Sequence, residues 1–175
     1  MALRSRLFSG AVISPGMWRR AAPLFAAVVA SLSSACRTGP RVELTWTGAD
    51  TGQAVLPASA RRCGAGPVEL TAMSGDTGVA LVIHGVEPLE AGRYPLAGPN
   101  EAASAPPAAA LAARWTDSMD LFAWRAVEGA LELSSPGKLR GTFTGRAERW
   151  GGGGTGEIEI SGEIVGVPVG PCPAG

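Results

Sequence analysis

Apolar and polar residues alternate with a period of two over most of the chain that follows its first, apolar segment. Val42, Leu44 and Trp46 fall on one face of an extended segment, and Glu43 and Thr45 fall on the other. Such alternation is typical of a β-strand with one buried face, because successive side chains in a strand point to opposite sides. The pattern therefore predicts a β-rich domain.

Similar segments recur along the chain and are separated by glycine and proline residues. They begin near residues 42, 68, 78, 111, 122, 131, 139 and 158. The 25 glycines and 14 prolines fit tight turns between short strands. We therefore expect an all-β fold, either an antiparallel β-sandwich or a partly open barrel of about eight strands, preceded by a helical signal segment.

One stretch breaks the strand pattern. Residues 97–110 (AGPNEAASAPPAAA) are low in complexity, and Pro106 and Pro107 argue against a helix through them. We expect a loop there, inside a single β domain that spans residues 41–175.

The first segment has the order of an export signal. Arg19 and Arg20 precede the uncharged run Ala21–Leu32, and the small residues at 33–35 lead directly into Cys36. A cationic start, a short apolar core and small residues before the cleavage site are the features of a secretory signal. The apolar run is shorter than the ~20 residues that a helix needs to span a bilayer.

The segment Leu32–Cys36 resembles the processing motif of bacterial lipoprotein precursors. In that family the cysteine thiol is acylated and the peptide is cut before it. The resemblance implies a signal peptide at 1–35, for which Met17 makes a compact start, a lipid on Cys36, and a short tether at 36–40. An ordinary secretory signal cut near Ala35, or an uncleaved anchor, are the alternatives.

The same family resemblance predicts an address in the cell envelope. The protein would be anchored to a membrane through its N-terminal lipid. Arg37 follows the cysteine where an aspartate commonly favours retention at the inner membrane, so the outer membrane is favoured if the organism has one. The remaining β domain is similar to small β-rich envelope lipoproteins of unassigned function.

The cysteine count fits this interpretation. The chain has three cysteines, and lipidation of Cys36 leaves Cys63 and Cys172 to pair. Disulfides persist in compartments outside the cytoplasm. We expect a disulfide between these two residues, since no CxxC motif or neighbouring histidine supports a metal or redox role.

Charge excludes one class of partner. Only 17% of residues are charged and the formal net charge is zero, so the chain lacks the basic excess that nucleic-acid binding requires. We expect no nucleic-acid partner and no cofactor.

Two similar segments each contain an Asp-Thr-Gly triplet. Residues 42–52 and 68–78 agree at seven of eleven positions, and the triplets begin at Asp50 and Asp76. The triplets resemble those of aspartic proteases, in which two carboxylates share a proton. They lie only 26 residues apart and have good turn chemistry, because aspartate bonds nearby backbone and glycine permits a positive φ. We interpret both as turns.

The other candidates for chemistry are isolated. His84 is the single histidine and follows an apolar strand, where a structural or surface role is expected. Glu157, Glu159 and Glu163 share a strand face; they are interpreted as a solvated face rather than a cation site. Trp150 lies beside a glycine run and is the best candidate for an exposed aromatic that contacts a ligand such as a sugar.

No catalytic or metal-binding set is visible, so we expect a protein that is not an enzyme. The favoured function is a membrane-anchored envelope lipoprotein that binds or scaffolds another envelope protein or a glycan. The alternatives are a cell-envelope hydrolase and a carrier that holds a small ligand in a β-barrel cavity.

Overall fold

The strands follow the alternation of the sequence. The computed structural model describes residues 39–117, 120–151 and 155–172, which all belong to one compact unit. In these ranges the elements are β1 (Arg41–Gly48), β2 (Gly52–Arg62), β3 (Val68–Ser74), β4 (Thr77–His84), β5 (Gly92–Pro95), α1 (Pro99–Ser104), β6 (Ala108–Asp117), β7 (Asp120–Ser135), β8 (Lys138–Arg149) and β9 (Glu157–Pro171). The predicted signal peptide and Cys36 lie outside the described residues.

Eight of the strands form a closed antiparallel barrel. Strands β1 to β4 and β6 to β9 pair in chain order, and β1 pairs with β9 along eight residue positions to complete the ring. The predicted all-β, antiparallel fold of about eight strands is confirmed. The alternation missed β2 and β5, however, and divided β7 into segments near residues 122 and 131. The sheet closes on itself, however, and forms neither a sandwich nor a partly open barrel.

Inward-facing glycines explain why the sheet curves so strongly. Gly141 and Gly145 flank Phe143 along β8, and Gly162 of β9 lies opposite Phe143. A Cβ atom on Gly162 would overlap the Phe143 ring and the carbonyl oxygen of Glu43. Missing side chains at inward positions let strands bend and approach closely. Closure therefore depends on contacts between strands that alternation alone does not specify.

Strand β5 fills a gap where β6 and β7 diverge. It pairs with the second half of β7, with Tyr94 opposite Leu131. The next residue, Leu96, bridges to Ala109 at the start of β6 in parallel orientation. The ring thus has a short extra strand at one end.

The predicted loop at 97–110 differs from the structure. Its first part contains α1, where Pro99 occupies the first turn and the Glu101 carboxylate accepts a hydrogen bond from the Gly98 N–H at 3.3 Å. The helix ends before the two prolines, as their chemistry requires. Residues 108–110 are already strand, because β6 pairs with β4 from Ala108 onward.

The interior of the barrel is filled by side chains. Each of the eight barrel strands contributes to one contiguous buried cluster, for example through Leu44, Leu56, Leu70, Leu81, Leu111, Trp124, Phe143 and Ile160. An eight-stranded barrel has an interior just wide enough for side chains to fill or for one small ligand. Here the side chains take that space and form a packed core.

A disulfide between Cys63 and Cys172 reinforces the seam of the barrel. Strands β2 and β9 lie on either side of β1. Beyond the first residue of β1 they pair directly with each other in parallel, with Arg62 opposite Pro171. The two cysteines follow these residues, and their Cα atoms are 5.1 Å apart. The predicted pairing is confirmed, and the bond fixes the end of β9 to the loop after β2.

Replacing both cysteines, Cys63→Ala with Cys172→Ala, should lower the free energy of unfolding by about 4–5 kcal/mol. The reason is that the bond closes a loop of 109 residues, and a loop near that length removes this much chain entropy from the unfolded state. Guanidinium titrations of both proteins measure the difference. Reduced wild-type protein should match the variant, and a loss below about 1 kcal/mol would contradict the expectation.

Candidate functional site

Three tryptophans stack inside one end of the barrel, which we call the tryptophan end. Trp46 comes from the end of β1, Trp115 from the end of β6 and Trp124 from the start of β7, and all three are buried. Ring centroids are 4.3 Å apart for Trp46 and Trp115 and 5.7 Å apart for Trp115 and Trp124. In the ring of eight strands, β6 lies four strands away from β1 and therefore opposite it. The Trp46–Trp115 pair thus spans the barrel and closes this end.

The Asp50 carboxylate holds the stack together. Its Oδ2 accepts hydrogen bonds from the indole N–H of Trp115 at 2.6 Å and of Trp46 at 3.3 Å. Its Oδ1 accepts the backbone N–H of Thr51 at 2.7 Å, as a turn aspartate does. Asp50 lies in the connection between β1 and β2, as predicted, but Gly52 already begins β2 and lacks the positive φ that the turn chemistry predicted. Sequence reasoning also missed the bonds to two tryptophans. Asp76, in the matching turn between β3 and β4, is exposed.

A glycine makes room for the Trp46 indole ring. Gly52 lies opposite Trp46 in the β1–β2 ladder, and a Cβ atom there would overlap the Trp46 ring. The Trp124 Nε1 atom is buried and has no hydrogen-bond partner in the described structure. The indole rings thus pack closely and fill the tryptophan end, rather than lining a cavity there.

An open groove with an apolar floor lies on the outer face of the barrel near this end. It has a volume of about 300 Å³. Its rims are Met73 on one side and Trp150 on the other, with exposures of 39% and 62%. Its floor is made of small residues on β4, β6 and β7, namely Gly78, Ala80, Ala112 and Ala123. We call this surface the Met73–Trp150 groove.

Strand register aligns the groove residues in two rows across the sheet. The first row is Met73, Gly78, Arg114, Ala123 and Trp150, and the second is Thr71, Ala80, Ala112, Arg125 and Glu148. The Trp150 N–H donates to the carbonyl of Ala123 at 2.7 Å, which extends the β7–β8 ladder by one residue. Neighbouring strands lie about 4.8 Å apart, so Trp150 and Arg114 flank Ala123 at about that spacing on each side.

Sequence reasoning found one rim of this groove and missed the rest. Trp150 is exposed, as expected for a ligand-contacting aromatic. Met73 and Arg114 carried no recognisable signal, because they come from strands that are distant in sequence. Trp46 and Trp115 are buried.

A second depression of about 520 Å³ lies over the outer face of β1 and β2. It is lined by polar side chains that include Thr45, Gln53 and Ser74. Its carboxylate, Glu43, accepts a hydrogen bond from the Arg41 side chain at 2.9 Å. The Met73–Trp150 groove is the better candidate because it combines an exposed ring, an apolar floor and a guanidinium.

The glutamates predicted to form a solvated face lie on the outer face of β9. Glu157 forms an ion pair with Arg146 of β8 at 2.7 Å, and Arg146 also contacts Glu128 at 2.8 Å and Glu148 at 3.5 Å. Hydrogen bonding to Arg146 and its positive charge lower the pKa of Glu128, and the same hydrogen bond raises the pKa of Arg146. This acidic face carries more glutamates than arginines.

The remaining candidates are not gathered into a site. Within the described ranges, no three His, Cys, Asp or Glu side chains lie close enough together to hold a metal ion. The side chain of His84, at the end of β4, forms no hydrogen bond or ion pair with another described residue. The lipid attachment predicted at Cys36 falls outside the described residues.

Comparison with known proteins gives no relative. No protein-family model, curated protein or solved structure matches this chain. Among the described residues, no helix is both long and apolar enough to cross a membrane.

Asp50→Ala should destabilise the fold by about 2–3 kcal/mol, because it leaves two buried indole N–H groups without their charged acceptor. Urea denaturation measures the loss, and near-UV circular dichroism should report loosening of the stacked indoles. Asp76→Ala is the matched control, since an exposed turn residue should change stability by less than about 0.5 kcal/mol. Equal effects of the two substitutions would refute the role of Asp50.

Arg146→Gln should raise the pKa of Glu128 toward its ordinary value. In the wild-type protein the pKa is lowered, so the ion pair stabilises the fold at pH above the ordinary carboxyl range, and this contribution is lost as pH falls through the lowered pKa. NMR titration of the Glu128 carboxyl carbon measures both values. Arg93→Gln, which removes a distant ion pair with Glu132, should leave Glu128 unchanged.

Proposed function

We propose that this protein is a non-enzymatic binding or scaffolding module of the bacterial cell envelope, tethered to a membrane through a lipid on Cys36. We further propose that it engages its ligand at the Met73–Trp150 groove. The observation that carries the proposal is the exposed Trp150 at the rim of an apolar groove, on a barrel whose interior is filled.

Filling of the interior favours an outer binding surface. The core cluster occupies the barrel, and the Trp46–Trp115 stack with Asp50 closes one end. A ligand carried inside would have to displace close-packed side chains, which costs several kcal/mol. A groove on the outside requires no such rearrangement.

The composition of the groove is that of a binding surface. Tryptophan, arginine and methionine are enriched at interfaces, and tryptophan and arginine account for many of the residues that dominate binding energy. A large apolar ring that is 62% exposed loses the benefit of burial unless a partner covers it. Trp150, Met73 and Arg114 therefore support binding at this face.

The position of the tether supports display of the groove away from the membrane. Strand β1 begins at Arg41, five positions after Cys36, so the tether spans at most about 18 Å. β1 runs from that end of the barrel toward the tryptophan end, where Trp46 lies. A lipid on Cys36 would hold the first end at the membrane and leave the groove near the far end.

Site-specific photo-cross-linking in cells tests the proposal. A photoreactive residue replaces exposed Thr71 beside the groove, in the full chain expressed in a bacterium. We expect a discrete adduct with an envelope component, found in the membrane fraction and lost in the Trp150→Ala background. Mass spectrometry of the mature N-terminus should show acylated Cys36.

Two controls define the outcome. A photoreactive residue at Arg93, on β5 at the other end of the barrel, should give no such adduct. Cys36→Ser should release the protein from the membrane fraction. An unmodified Cys36 would overturn the tether, and an adduct that is indifferent to Trp150 would overturn the groove.

A further inference from the structure

The Met73–Trp150 groove contains a guanidinium that has no acidic partner among the side chains that the structure describes. Among the described residues, the polar contact of Arg114 is with the sulfur of Met73, at 3.9 Å from Nη2, and a thioether is a weak acceptor. Arg61 and Arg93, by contrast, each bind a glutamate within 2.9 Å. The positive charge of Arg114 is therefore available to an anionic ligand.

The aromatic ring and the cation lie on opposite sides of the same small residue. Ala123 pairs with Arg114 on one side and bonds to Trp150 on the other, so the two Cα atoms are about 10 Å apart. The Arg114 side chain extends from β6 toward Met73, so its guanidinium lies farther from Trp150 than its Cα atom does. A ligand that stacks on the Trp150 indole must therefore extend past Ala123 to reach the guanidinium.

We propose that the groove binds a sugar that bears a carboxylate. The C–H face of the sugar ring stacks on the Trp150 indole, and the carboxylate pairs with the Arg114 guanidinium. Arginine suits this role because its planar donors match a carboxylate in a bidentate manner. The inference rests on the proposed function, of which it specifies the ligand class.

Other occupants fit the groove less well. An acyl chain would cover Arg114 without giving it a partner, and burial of an unpaired charge is costly. An added peptide strand needs a free sheet edge, whereas the floor strands β4, β6 and β7 are each paired on both sides. The volume of about 300 Å³ is at the lower end for ligand sites, which suits about one or two sugar rings.

Isothermal titration of the detergent-solubilised full chain tests the proposal. The probes are an oligosaccharide of glucuronic acid and the uncharged glucose oligosaccharide of the same length and linkage. The acidic sugar should bind about 10- to 100-fold more tightly, the range expected for one charged hydrogen-bonded pair. Added salt should weaken binding of the acidic sugar more than that of the neutral one.

Variants assign the two contacts. Arg114→Gln should bring the acidic sugar down to the affinity of the neutral one, whereas Arg93→Gln, with the same change in net charge, should leave both affinities unchanged. Trp150→Ala should abolish binding of both sugars, and Trp150→Phe should retain it. Unchanged thermal unfolding of the variants shows that they remain folded.

Equal affinities for the two sugars, no binding of either at millimolar concentration, or identical effects of Arg114→Gln and Arg93→Gln would each overturn the inference. A Trp150-dependent adduct with an envelope protein, combined with no sugar binding, would leave the proposed binding function intact and reject the sugar. Sugar binding without any Trp150-dependent adduct in cells would support the ligand class and reject the scaffolding role.

Discussion

The ladder between β1 and β9 is the constraint on which the rest of the structure depends. These are the first and last strands of the domain, and their pairing over eight positions turns a meander into a closed ring. The Cys63–Cys172 disulfide lies at the same seam, just beyond the parallel contact of β2 with β9. Closure removes the exposed edges that an open sheet would present for aggregation, and it brings residues far apart in sequence to opposite walls of one core.

Closure also determines where open space remains on the protein. A ring of eight strands has room for side chains and little else, and here the core fills it while Asp50 fastens Trp46 to Trp115 across one end. The open groove of about 300 Å³ lies instead on the outer face. Small residues have a role on both sides of the barrel wall. Inside, glycine leaves space for the aromatic rings, and outside, glycine and alanine form the groove floor.

Arginines on the outer wall have different partners. Arg146 of β8 is bound by Glu128 of β7, Glu148 of β8 and Glu157 of β9, and its hydrogen bond and charge lower the pKa of Glu128. On the groove face, Arg114 has a thioether for its neighbour. A chain with zero formal net charge can therefore still present a local cationic surface, because the arrangement of charges, rather than their sum, determines what a surface attracts.

Sequence by itself determined the local features. Alternation identified seven of the eight barrel strands, although it missed β2 and divided β7 into two segments. Cysteine counting gave the disulfide, turn chemistry placed Asp50 between strands, and the glycine run beside Trp150 indicated exposure. Each depends on neighbours within a few residues or on a simple count. Ring closure, the bonds from Asp50 to two tryptophans, and the row from Met73 through Arg114 to Trp150 were decided by the tertiary structure. They depend on the register between strands up to about a hundred residues apart, which one sequence does not encode in any local pattern.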